Sequence, residues 1–152
     1  MKTFLVFLAL VLLFTGFLVY TADLSFYLRL QSELKTAAEE CADAAALMSD
    51  SRLLGEGLLV IDPAGALQVV SVLAKDARER FPAGGSISFD LQLFDDEKGY
   101  EGCRALGIEE GRPAAYVCLT YTGDDLFRLP SIRCCQIVRS AVYQWEYGLT
   151  SH

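Results

Sequence analysis

An uninterrupted apolar run near the amino terminus constrains this 152-residue chain more than any other feature. From Phe4 to Ala22 the sequence reads FLVFLALVLLFTGFLVYTA, nineteen residues without a formal charge, between Lys2 and Asp23. A helix of that length extends about 28 Å, which is close to the hydrocarbon thickness of a bilayer, about 30 Å. The run therefore predicts a transmembrane helix.

A cleaved secretory signal is the alternative interpretation of this run. A signal has a shorter apolar stretch, of about 7–15 residues, and small residues at positions −3 and −1 of its cleavage site. Cleavage after Ala22 would place the bulky Tyr20 at position −3. Length and flanks therefore favour a retained anchor that comprises residues 1–22, followed by one domain that comprises residues 23–152.

The distribution of charge indicates where that domain lies. Lys2 flanks the run on one side and Asp23 on the other, so the positive-inside bias places residues 23–152 outside the cytoplasm. We therefore expect a single-pass protein of the cytoplasmic membrane with an extracytoplasmic domain. This domain carries 12 Lys and Arg against 20 Asp and Glu, so it lacks a basic stripe and we expect no nucleic-acid partner.

Helical spacing continues beyond the apolar run. Seven residues recur at alternating intervals of three and four, and we call them the seam: Tyr27, Leu30, Leu34, Ala37, Cys41, Ala44 and Met48. The spacing predicts that the helix continues to about residue 50 with one apolar stripe. Two interpretations of the seam stay open. It packs on the chain's own domain, as most such stripes do, or part of it packs against other subunits.

A second helix and three strands are predicted downstream. Asp62 can cap a helix that starts at Pro63 and continues, by its apolar spacing, to residue 81. Alternation or β-branched and aromatic residues indicate strands at residues 86–93, 113–121 and 132–145. Successive strands with short connections favour an antiparallel sheet with both helices on one face, which is an α+β fold.

Five cysteines lie in the predicted exported domain, where an oxidising compartment favours disulfides. If the loop between the second and third strands centres near residues 125 and 126, Cys118 lies opposite Cys134. The Cβ atoms of directly opposed residues lie slightly farther apart than those of most disulfides, so a bridge would need some local adjustment. Cys103 is a competing partner for either cysteine. Cys41 is expected to be a buried thiol. We expect at least one disulfide among Cys103, Cys118, Cys134 and Cys135.

The sequence offers little material for catalysis or metal binding. Its one histidine is His152, and it contains no G-x-S-x-G motif, phosphate loop or dinucleotide fingerprint. The carboxylates of residues 95–101 and 109–110 lack the spacing of a calcium-binding loop, which favours solvated turns. We therefore expect no enzyme, no cofactor and no metal site, and the sequence identifies no small-molecule substrate.

The apolar run and the alanine-rich helix after it carry a family resemblance. The matching residues are the run into Asp23, then Tyr27 and Arg29, then Leu34-Lys35-Thr36-Ala37-Ala38 and Cys41-Ala42-Asp43-Ala44-Ala45-Ala46-Leu47. This segment resembles the N-terminal region of TadE/TadG-like proteins of the tight-adherence (Flp-type) pilus apparatus. The resemblance implies a minor pilin or an assembly component with a pilin-like α+β head, and other pilus or assembly subunits as partners.

Two functions are therefore expected, and a third is residual. The first is a membrane-anchored structural or assembly component of a cell-surface pilus or secretion apparatus. The alternative is a membrane-tethered extracytoplasmic binding module, which recognises a surface ligand through an exposed sheet face or the loop at residues 95–112. An exported enzyme comes last, because the spacing of these residues assembles no nucleophile, base and orienting group.

Overall fold

The computed structural model describes residues 1–49, 51–55, 58–128 and 132–146, and it has the expected α+β fold. His152 lies outside these residues. The elements in chain order are α1 (Lys2–Leu47), α2 (Ser51–Gly55), α3 (Pro63–Glu79), β1 (Ser86–Phe94), a 3-10 turn (Cys103–Leu106), β2 (Ala114–Thr122) and β3 (Gln136–Gln144).

Helix α1 is continuous over 46 residues, which is about 69 Å at the usual rise. No glycine or proline interrupts the sequence between Gly16 and Gly55, so nothing in that stretch breaks the helix. The helix ends where Met48 leaves helical geometry, with its N–H donating to the carbonyl of Ala45. There the carbonyl of Met48 accepts the N–H of Asp62 at 2.7 Å, which fastens the end of α1 to the start of α3.

Helix α3 begins as the sequence predicts and ends two residues early. The carboxylate of Asp62 accepts the N–H groups of Ala64 and Gly65, each at 3.0 Å, and so caps the first turn. At the other end Arg78 donates from Nε to the carbonyl of Gly85 at 2.6 Å. This contact holds the turn that leads from α3 into β1.

The three strands form an antiparallel sheet in the order β1-β2-β3, with β2 in the centre. Alternate residues of β2 point into the core and are fully buried: Ala115, Val117, Leu119 and Tyr121. Gly85 and Gly123 flank the ring of Tyr121 so closely that a Cβ atom at either position would overlap it. Both positions therefore require glycine.

The seam lies in the core of the chain itself. Leu30, Leu34 and Cys41 are buried within one cluster that includes the inward side chains of β2, whereas Ala44 is only half-buried. Four other residues of α1 are completely buried, namely Ala38, Ala42, Ala45 and Ala46. The buried side moves from Ala44 to Ala45 because a straight helix repeats every 3.6 residues, not the 3.5 of the seam.

The third strand begins four residues later than predicted, at Gln136 rather than residue 132. Asp125 explains this, because its Oδ1 accepts the N–H groups of Phe127 at 3.2 Å and Cys134 at 2.9 Å. These bonds hold part of the chain between β2 and β3 as a loop, and the paired strands start beyond it.

Candidate membrane anchor and its junction with the head

The first half of α1 is largely uncovered by the other described parts of the chain. Its apolar side chains are exposed all round the helix, with exposed fractions that reach 72% at Leu13. This is the one helix in the described part of the chain that is long and apolar enough to cross a membrane, and none of its apolar window is buried. A single membrane span and a signal sequence both have these properties. In both cases exposure of this apolar surface to water is unfavourable.

The two threonine hydroxyls of the span are satisfied within the helix. Thr15 donates its hydroxyl to the carbonyl of Val11 at 2.8 Å, and Thr21 donates to the carbonyl of Phe17 at 2.7 Å. Hydroxyls bonded in this way do not need water, so they are tolerated in hydrocarbon. The threonines are thus compatible with a membrane environment.

Asp23 is the first charged residue after the span and fastens the helix to the rest of the fold. We call the part of the structure from Asp23 onward the head. Only 3% of Asp23 is exposed, and its Oδ2 accepts the backbone N–H of Arg128 at 2.9 Å. The Nε of Arg128 lies 3.5 Å from Oδ1, while 81% of the arginine side chain stays exposed. The two residues are 105 positions apart in the sequence, so only the tertiary fold joins them.

Three aromatic rings pack at the same junction. Phe127 lies between Tyr20 and Tyr27 of α1, with ring centroids 6.4 Å and 5.8 Å away, respectively. Gln31 holds Tyr27 by donating to its hydroxyl at 2.7 Å. Aromatic rings with a polar edge are enriched where a membrane meets water, and this cluster follows directly on the apolar span. The loop before β3 is therefore attached to α1 by both charge and aromatic contacts.

A cavity of about 300 Å³ opens beside this junction, between α1, the Pro82-Ala83 turn and the loop after β2. Asp23, Asp124 and Asp125 line it together with Arg128. No group of three or more His, Cys, Asp or Glu among the described residues is placed to hold a metal ion. Structurally, the junction acts as a clamp between the helix and the head.

Acid should release the bonds by which Asp125 holds the loop beside this clamp. The N–H groups of Cys134 and Phe127 stabilise the ionised Asp125 and lower its pKa from the ordinary value of 3.8. A lowered pKa means that the stabilisation is complete above about pH 4 and is lost as the pH falls through the folded value. We expect the amide NMR signals of Phe127 and Cys134 in the detergent-solubilised chain to titrate together below pH 3.8.

The variant Asp125→Asn is the control for this titration, because an amide side chain does not ionise. Its amides at residues 127 and 134 should show no transition over the same range. A midpoint at or above 3.8 in the parent chain would contradict the prediction.

The structure contains no disulfide, and all five cysteines are free thiols. The predicted opposition of Cys118 and Cys134 is wrong, because Cys118 faces Asp90 on one side and Ser140 on the other. Cys134 instead contacts the loop, where its carbonyl accepts the N–H of Leu126 at 3.0 Å. The error arose from assuming that β3 pairs directly after a short turn.

The remaining cysteines are separated from one another by the fold. Cys103 is completely buried in a small cluster with Phe94, Ile108 and Ala114, at the end of the sheet far from the span. Cys135 is exposed beside Gly123, whose N–H donates to its carbonyl at 2.9 Å. Cys41 is a buried thiol as expected, and its burial, with a smaller effect from Glu40, raises its pKa to about 11. The neutral thiol of Cys41 is therefore favoured.

The sequence singled out Asp23 as the charge after the span and Tyr27 as a seam residue, but it indicated neither the role of Tyr20 nor the partners of the three residues. Phe127 and Arg128 carry no local signal that marks them as partners of α1, because they lie in the loop after β2. Comparison of the chain with protein-family models, curated proteins and solved structures finds no match. The geometry of the anchor and its junction is therefore the basis for assigning a function.

Proposed function

We propose that this chain is a membrane-anchored, non-enzymatic structural or assembly component of a cell-surface pilus or secretion apparatus, similar to a minor pilin. Residues 1–22 span the cytoplasmic membrane in this proposal, and residues 23–152 lie outside the cytoplasm. The observation that supports the proposal is that one helix forms both the apolar span and part of the core of the head. The first half of α1 has an exposed apolar surface, and one face of the second half is buried in the core of the head.

The rigidity of the connection supports an assembly role. A single helix joins span and head without a glycine or proline hinge after Gly16. The bond from Arg128 to Asp23 and the packing of Phe127 on Tyr20 add a second attachment. A subunit of an ordered array needs its head at a fixed angle to its anchor, because neighbouring copies must repeat the same contacts. A module that searches for a ligand gains nothing from such a restraint.

The resemblance of residues 1–50 to TadE/TadG-like proteins supports the pilus context. The alanine-rich stretch of that resemblance has a structural use here, since Ala38, Ala42 and Ala45 let α1 lie close to the sheet. Because those alanines face the chain's own core, they leave the apolar span as the surface for neighbouring subunits. Packing between helices in lipid depends on such close van der Waals contact.

A membrane-tethered binding module is the second candidate, and the outer face of the sheet favours it. Val138 and Val142 of β3 are exposed there, beside the half-buried Tyr116 and Thr120 of β2. Exposed apolar side chains between polar ones are common at interaction sites. In this alternative the span serves as an anchor only, and contacts with other proteins arise from the sheet.

Photo-crosslinking in the native membrane separates the two functions. A photoreactive amino acid at Phe14 lies in the middle of the span, and one at Val142 lies on the outer face of the sheet. After irradiation, adducts are detected with an antibody against the head and identified by mass spectrometry. We expect adducts to other membrane-embedded subunits from position 14, because the span is the contact surface of an assembly component.

Two results would contradict the proposal. Protein adducts from position 142 alone, with position 14 labelling only lipid, would favour the binding module. A mature chain that begins at Asp23 would carry no photoreactive residue at position 14, and it would show that the apolar run is a cleaved signal. The matched positions carry the same chemical group, so their reactivity differs only by location.

A further inference from the structure

Strand β1 has an open edge. It pairs with β2 on one side, and no described residue forms a backbone ladder with its other side. The outward N–H and C=O groups of such a strand are a template for an added strand. Nine residues, Ser86–Phe94, are available, and they extend about 30 Å.

A groove lies between this edge and α3. Two adjoining cavities of about 500 Å³ and about 320 Å³ follow the strand and share Phe89 as a lining residue. On the α3 side they are lined by residues at helical spacing, which include Leu67, Ser71, Ala74 and Arg78. The groove therefore runs along the open edge from the start of α3 to its last turn.

The apolar row of β1 is incompletely covered in this groove. Ile87, Phe89, Leu91 and Leu93 point toward the core but are only half-buried, whereas the corresponding row of β2 is fully buried. The difference arises because β1 has no paired strand on its outer side and cavities lie between its inward row and α3. An added strand with apolar inward side chains would cover this row.

The charges at the groove are mostly positive although the domain is acidic: three cations, Lys75, Arg78 and Lys98, line it with one carboxylate, Asp90. Lys75 and Arg78 line the end nearest Gly85, and neither forms an ion pair within the described part of the chain. Lys98 lines the other end and pairs with Asp95 at 3.7 Å. Uncompensated cations at one end favour an occupant with a carboxylate there.

We propose that the groove between α3 and β1 binds an extended segment of a partner protein as a fourth strand. The segment pairs its backbone with the free edge of β1, and it places apolar side chains over Phe89 and Leu91. An acidic residue at its end lies beside Lys75 and Arg78. This interaction surface is independent of the proposed role in a pilus, because it uses neither the span nor its junction with the head.

A synthetic peptide tests the proposal. The probe is the fluorescein-labelled nonapeptide Glu-Thr-Val-Ser-Ile-Thr-Val-Ser-Glu, which carries glutamate at both ends because the groove does not fix strand direction. Its anisotropy is measured against the full-length chain in nanodiscs. We expect saturable binding below about 1 mM, and at least about tenfold weaker binding of two control peptides. One control replaces both glutamates by lysine, and the other has N-methylated backbone amides at alternate positions.

Three variants on α3 locate the binding site and test its charge. Ser71→Trp fills the groove and should weaken binding by about tenfold or more, whereas Gln68→Trp faces the neighbouring surface of α3 and should change affinity by less than about twofold. Lys75→Glu, at an exposed position, should reverse the preference toward the lysine peptide. Melting temperatures of all variants show whether the head remains folded. If Ser71→Trp does not fold, the peptide preference of Lys75→Glu tests whether the site lies in the groove.

Three results would overturn the proposal. The first is the absence of saturable binding by the acidic peptide, which includes the case in which only self-association of the chain is detected. The second is equal binding of the N-methylated peptide, since the backbone ladder would then play no part. The third is that Gln68→Trp loses binding while Ser71→Trp binds as the parent chain does, which would place the site on the other side of α3.

Discussion

Replacing Leu34 by alanine is expected to destabilise the head by about 2–5 kcal/mol, the usual cost of a leucine-sized cavity in a core. Leu34 is completely buried and belongs to the cluster formed by α1, α3 and the sheet. Chemical unfolding of the full-length chain in detergent micelles measures the loss. Trp145 is a suitable probe, because its indole donates to the carbonyl of Ala46 at 3.3 Å and moves into solvent on unfolding.

The matched control is Leu47→Ala, on the same helix at a position that is 62% exposed. We expect a change of no more than about 0.5 kcal/mol, because little buried contact is lost. This pair of variants also tests the interpretation of the seam. If Leu34→Ala left the head as stable as Leu47→Ala did, the seam would not be part of the core and would have to face other subunits.

Replacing Asp95 by alanine is the second change with a large expected effect, a loss of about 3–5 kcal/mol. Asp95 is completely buried at the end of β1. Its carboxylate accepts the N–H of Ile61 at 3.2 Å, and those of Glu97 and Lys98 at 3.1 Å and 2.8 Å. Alanine would leave these donors without a partner, and the N–H of Ile61 is buried. The segment before α3 would lose its buried bond to the residue that follows β1.

Asp96→Ala provides the control at the adjacent position. Asp96 is exposed, and it accepts the N–H of Leu59 at 3.3 Å and the hydroxyl of Tyr100 at 2.7 Å. Water can replace these bonds, so we expect a loss of no more than about 1 kcal/mol. Both variants are compared by the same unfolding measurement. Equal losses of unfolding free energy in the two variants would show that burial of the Asp95 carboxylate does not account for its contribution to stability.

Much of the fold could be predicted from the sequence because its signals are local. The apolar run, the seam spacing and the Asp62-Pro63 start are properties of short segments, and they identified α1 and α3. The alternating residues of β1 and the apolar run of β2 are likewise local signals. The start of β3 was missed because it depends on Asp125, whose side chain bonds reach across the loop to Cys134.

Strand register and the junction were decided by the tertiary structure. A hairpin register depends on how many residues the loop takes up, and a shift of a few positions separates Cys118 from Cys134. The bond between Asp23 and Arg128 joins residues 105 positions apart, and no local pattern marks either as the other's partner.

The sequence by itself determined that one helix is apolar enough for a membrane and that its continuation has an apolar stripe. Only the tertiary structure decided that this stripe lies in the chain's own core and that β1 keeps an open edge beside α3. The physical reason is that hydrophobic periodicity fixes which side of an element must be covered. What covers it depends on contacts between segments far apart in the chain.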